Sequence, residues 1–174
     1  SIQKIKNTKN KRKKILVEKK DSTQNINSEK ISLLDKELIM FCFSSSLENR
    51  MIIKNNLNLK WIQSSIIQNL YNEIFIHLSS EEVVKPEIIM NELKNETERN
   101  LMAELLFNKI DVNKNMVVDC LIRLEKNKIQ TESNKLREQL KSNQIDSNMQ
   151  NSLLEKINTL QKQKNDVKVK YENI

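Results

Sequence analysis

Not one of the 174 residues is glycine, and only one, Pro86, is proline. Two-residue β-hairpin turns, dinucleotide-binding loops and P-loops all place glycine at fixed positions, where a Cβ would clash or hold the backbone away from a phosphate. Sheet-rich and nucleotide-binding architectures therefore lose support together, while helices need no such residue. The expected class is all-α: a compact helical bundle, then a long helix and a C-terminal helical hairpin. At 37% hydrophobic residues the chain is long enough to bury a real core, with one body and appendages.

Apolar spacing orders the body. Ser28 is a candidate N-cap for a helix to about Ser44 carrying Ile31, Leu34, Leu38, Phe41 and Cys42 at intervals of three and four. Ser46 could cap a second, shorter helix, with Glu48 in its first turn and Leu47, Met51 and Ile52 turned inward. After the break at Asn55–Asn58, Trp61, Ile62, Ile66, Leu70, Ile74 and Leu78 form one stripe, the expected centre of the bundle. Pro86 suits the first turn of a helix with Ile88, Ile89 and Leu93, and another follows from about Glu96 to Phe107. A sixth helix from about Asn113 gives Val117, Cys120, Leu121 and Leu124 to the bundle, then thins to Ile129, Leu136 and Leu140. A final helix from about Asn148 returns after a fold at Asn143–Ser147, setting Leu140 near Leu153 and Leu136 near Ile157. The expected organisation is a basic disordered linker over 1–27, a bundle over 28–127 and the hairpin over 128–174. A start at Ser1 rather than Met suggests a fragment or a processed product.

The formal charge of +7 is local. Residues 1–20 carry nine cations against Glu18, a net +8, so the remaining 154 residues sum to −1. The run Lys11, Arg12, Lys13 and Lys14 is the candidate nucleic-acid contact, a phosphate-binding arm; the same run also reads as a linker kept soluble by its charge. Cys42 and Cys120 fall in apolar helical patterns without CxxC spacing, and His77 is the one histidine, so zinc and haem motifs are missing and no metal or other cofactor is expected. The longest apolar run, Leu38 to Phe43, is too short for a bilayer. A reduced, cytoplasmic location is expected.

Catalytic constellations are equally missing. Asp111 and Asp119 look like a helix-start residue and an exposed helix position, and His77 like a packing or surface residue. Ser44, Ser45 and Ser46 form a turn and cap without a nucleophile elbow. Trp61 and Tyr71 could stack on bases, but their apolar stripe places them in a core. With five Arg scattered over the chain, no helix of the body concentrates a basic reading face. A protein-binding body is the better expectation.

The order of these features resembles a known family. A basic lead-in precedes 35-DKELIMFCFSSSLENRMIIKNNLNLKWIQSSIIQNLYNEIF-75, then a helix with Leu93, another with 101-LMAELLF-107, and 119-DCLIRLEKNKIQTESNKLREQLKS-142 with its return helix. That succession is similar to the C-terminal helicase-binding domain of bacterial DNA primase over about residues 30–172. Its closest local likeness is the CL-x-RL opening at Cys120, Leu121, Arg123 and Leu124. The resemblance implies a non-catalytic module of a DNA primase, whose bundle and hairpin dock on the N-terminal domains of the hexameric replicative helicase, with no small-molecule substrate and no membrane. A helicase N-terminal domain has a related bundle and is the alternative, as is a helical nucleic-acid binder using the tail. Leu153, Leu154, Ile157, Leu160, Val167 and Tyr171 cannot all face Leu136 and Leu140. Those left outside the seam are the candidate partner-binding residues, the other reading being that all six line it.

Overall fold

The computed structural model describes residues 31–78, 82–106, 111–141 and 146–174. The expectations for Phe107, the linker over 1–27 and the basic run Lys11, Arg12, Lys13 and Lys14 lie outside these residues, whereas the helix start expected at Ser28 is found at Ser32, because Ile31 and Ser32 precede the first helix. Within the described residues the protein is all-helical, with seven α-helices and one 3₁₀ turn. No helix is long and apolar enough to cross a membrane.

Capping side chains mark where the helices begin. Ser32 opens α1 (Leu33–Phe41) by accepting a hydrogen bond from the Asp35 amide, and Ser46 does the same for α2 (Leu47–Asn56) through Asn49. Leu47, expected to point inward, lies at the exposed first turn of α2; Ile52 and Ile53 are its buried residues. The stripe from Trp61 to Leu78 is not one helix. Leu59–Trp61 forms the 3₁₀ turn, capped by Asn58, and α3 (Ser65–His77) starts only after Ser64 accepts from the Ile67 amide. Gln68 holds the intervening backbone, its Nε2 donating to the carbonyls of Leu59 at 3.2 Å and Ile62 at 2.7 Å. Local polar bonds thus break an apolar pattern that runs on through the break.

Pro86 is the first residue of α4 (Pro86–Glu92), and α5 (Glu96–Leu106) follows. Asn113 caps α6 (Lys114–Leu140), which runs unbroken for 27 residues, so the expected boundary at 127/128 falls inside a helix. Asp146 caps α7 (Ser147–Lys170). α6 packs on α1, α2 and the 3₁₀ turn as well as on α7. Leu38, Ile53, Ile67, Leu70, Ile74 and Leu121 are among the fully buried residues of one continuous core. That core also takes in Ile129, Val167 and Tyr171 from the base of the hairpin.

Arg50 stands inside this apolar body with no exposed surface. Its Nη1 donates to the carbonyls of Ser44 at 2.7 Å and Ser45 at 3.2 Å, and its Nη2 to that of Glu82 at 3.3 Å. The guanidinium therefore clasps the α1–α2 turn to the segment before α4. Beside it, Asn49 Nδ2 donates to the Val112 carbonyl at 3.0 Å and ties α2 to the start of α6. Replacing Arg50 with Met keeps the stem but leaves three carbonyls without their donor, a cost of about 3 kcal/mol. Urea unfolding of Arg50→Met should show that loss; a change under about 0.5 kcal/mol, typical of surface substitutions, would contradict the clasp.

Candidate docking hairpin

α6 and α7 lie antiparallel, and two contacts fix their register. Lys164 Nζ donates to Gln130 Oε1 at 2.6 Å, and Lys170 Nζ meets Glu125 at 2.9 Å. The base of the hairpin is closed by a compact latch. Glu125 also accepts from the Tyr171 hydroxyl at 3.0 Å, and Lys170 Nζ sits 5.2 Å from the Trp61 ring centre and 5.1 Å from that of Tyr171. Burial, with the Glu125 charge and its hydrogen bond behind it, raises the Tyr171 phenol well above its usual value. The latch therefore keeps its phenolic proton far into the alkaline range, and the last turn of α7 stays fastened to α6 and to the Trp61 turn.

Farther out the seam changes character. Ile129, Val167 and Tyr171 belong to the continuous core and Leu160 packs against it, whereas Leu153 and Ile157 are buried but stand outside that core. Between the two zones lies a polar layer: the Gln130–Lys164 bond and Ser133, a buried residue whose Oγ has no hydrogen-bond partner among the described residues. A buried hydroxyl without a partner costs free energy, so the middle of the seam is its weak point. Lys164, which interrupts the apolar spacing of the sequence, is thus a member of a cross-helix pair.

The six residues singled out in the sequence separate accordingly. Leu153, Ile157, Val167 and Tyr171 are turned into the seam or the core; Leu160 is half-buried, and Leu154 is 43% exposed. Met149, whose spacing along the final helix fits the seam, is instead 57% exposed, and Val169, at 59% exposure, adds apolar surface that spacing did not select. One face of the hairpin also holds an open groove of about 550 Å³ floored by Leu136 and Leu160. Charged side chains flank it on both helices, Glu132 and Lys135 from α6 and Glu155 and Lys156 from α7.

Other chemistry-bearing side chains act in packing. Cys42 and Cys120 are free thiols buried against α1, their Sγ atoms near the carbonyls of Leu38 at 3.3 Å and Leu34 at 3.6 Å. Burial raises both, Cys120 to about 12, so both stay protonated and unreactive at neutral pH. Asp35, seemingly an ordinary helix-start acid, is buried, and that burial raises its carboxyl against the lowering pull of the Ser32 hydrogen bonds. His77 pairs with Glu92 at 2.9 Å, and Asp119 with Arg123 at 3.1 Å. Among the described residues no three His, Cys, Asp or Glu side chains are grouped to hold a metal ion.

No protein-family model, curated protein or solved structure matches this chain.

The weak layer has a direct test. Ser133→Ala replaces the unpartnered hydroxyl with a methyl group and should stabilise the hairpin by about 1 kcal/mol. Amide exchange along α7 should slow to match, and a destabilised variant would show that the hydroxyl is bonded after all.

Proposed function

We propose that this chain is the helicase-binding module of a bacterial DNA primase, bringing primer synthesis to the replicative helicase through protein–protein contacts. The observation that carries the proposal is the distal hairpin. Its apolar seam at Leu153 and Ile157 is separate from the main core, and it leaves Leu154 and Met149 exposed and Leu160 half-open. A two-helix unit with so small a seam gains firmness by gripping another protein, which suits a contact made and released during replication. The order of helices and the CL-x-RL run inside α6 support the same reading by resemblance. The N-terminal domains of the hexameric helicase are the partner, and no active-site residues are needed in this module.

Titration against a helicase N-terminal domain tests it. Deleting 143–174 outright would also remove Val167 and Tyr171 from the core, so the informative variant replaces residues 134–160 with a short polar turn. That change spares the Gln130–Lys164 pair and the latch. The intact chain should bind, and the shortened hairpin should bind at least about tenfold more weakly, equal to roughly 1.4 kcal/mol. Undiminished binding by a folded, shortened chain would remove the hairpin from the interface, and no binding by the intact chain would refute the proposal.

A further inference from the structure

The groove near the tip continues toward the base. Glu132 and Gln163 line both the distal groove and a second cleft of about 580 Å³ that reaches Trp61 and Lys170, so one channel runs along this face of the hairpin. Its floor is apolar, Leu136 and Leu160 toward the tip and Ile129 and Val167 toward the base.

Two pairs among the charges along its walls, Lys156 with Asp166 and Lys135 with Glu132, are self-complementary, whereas Glu155 and Lys128 stand outside this match. On α7, Lys156 and Asp166 lie five residues either side of Gln161, about 7.5 Å each way along the helix. On α6, Lys135 and Glu132 flank the midpoint between residues 133 and 134. The Gln130–Lys164 and Glu125–Lys170 contacts place that midpoint opposite Gln161, so both sets are centred on one line across the channel. Among the described residues Lys135, Lys156 and Asp166 form no ion pair, whereas Lys128 with Glu132 and Glu125 with Lys170 do.

We propose that this channel is a self-association surface whose occupant is the same face of a second copy. The two hairpins pack antiparallel about a two-fold axis on that central line, α7 against α7 and α6 against α6. Lys156 of each protomer then meets Asp166 of the other, and Lys135 comes beside Glu132. An isologous contact of this kind makes every pair twice. The apolar floors close on one another as a four-helix arrangement. The lined stretch of α7 from Ser152 to Lys170 is about 27 Å long. With a face about two helices wide, the buried area is on the order of 1,000 Å², which marks a weak, reversible dimer. The charges favour a second copy over a foreign helix, because opposite signs sit at equal distances from the centre on both helices. The inference is independent of helicase binding.

Sedimentation equilibrium of the whole chain from about 10 μM to 1 mM, at low salt, tests the proposal across the range expected of a weak contact. The expected result is a concentration-dependent dimer. Lys156→Asp or Asp166→Lys alone should weaken it roughly tenfold, and the double exchange should restore it to within about threefold. Both positions are exposed, so folding should survive, as circular dichroism can verify. A monomer throughout, single reversals without effect, or a double exchange that fails to restore the dimer would each overturn the proposal.

Discussion

One unbroken helix belongs to two structures at once. Over its first half, α6 buries Val117, Cys120, Leu121 and Leu124 against α1 and α2. Over its second half it leaves the bundle to pack on α7, with Ile129 still in the shared core. At 27 residues it is about 40 Å long, and a helix with so polar a distal half owes its stability to packing rather than to intrinsic propensity. The direction in which the hairpin leaves the bundle is therefore set by the same side chains that close the core. The latch of Glu125, Lys170, Tyr171 and Trp61 fastens the returning helix at that junction.

Two kinds of seam follow from this arrangement. At the base, α7 contributes Val167 and Tyr171 to a core shared with all the other helices, so opening there would expose bundle side chains as well. Past the Gln130–Lys164 bond and the unpartnered Ser133 hydroxyl, Leu160 still touches the core, while Leu153 and Ile157 are buried outside it. A protein partner of the distal half would add apolar contacts where the chain itself supplies few. The same division gives meaning to the polar layer, which separates a rigid base from a tip whose stability is local.

Much of this was legible in the sequence wherever a helix begins with its own signal. Ser46, Pro86 and Asn113 mark the starts of α2, α4 and α6 as their chemistry predicts. The Trp61 stripe misleads because apolar spacing persists through a break made by Asn58, Ser64 and Gln68, whose bonds to backbone leave no periodic trace. Arg50 gives no warning of its role, since a lone cation in an apolar stretch looks alike whether it reaches solvent or three carbonyls. In the hairpin, spacing identifies Leu153 and Ile157 as seam residues and predicts that some of their neighbours must lie outside. Which ones depends on register, and register is set by the Lys164 and Lys170 contacts across 34 and 45 residues of sequence.

The central claim is that a single core reaches through α6 to the base of the hairpin and stops at the polar layer. Residue-resolved hydrogen exchange of the intact chain measures that division most directly. Amides of α7 from about 161 to 170 should be protected to nearly the same degree as those of α6 within the bundle, with those from about 149 to 158 exchanging markedly faster. Uniform protection along the whole of α7 would mean that base and tip open as one unit, contrary to the account.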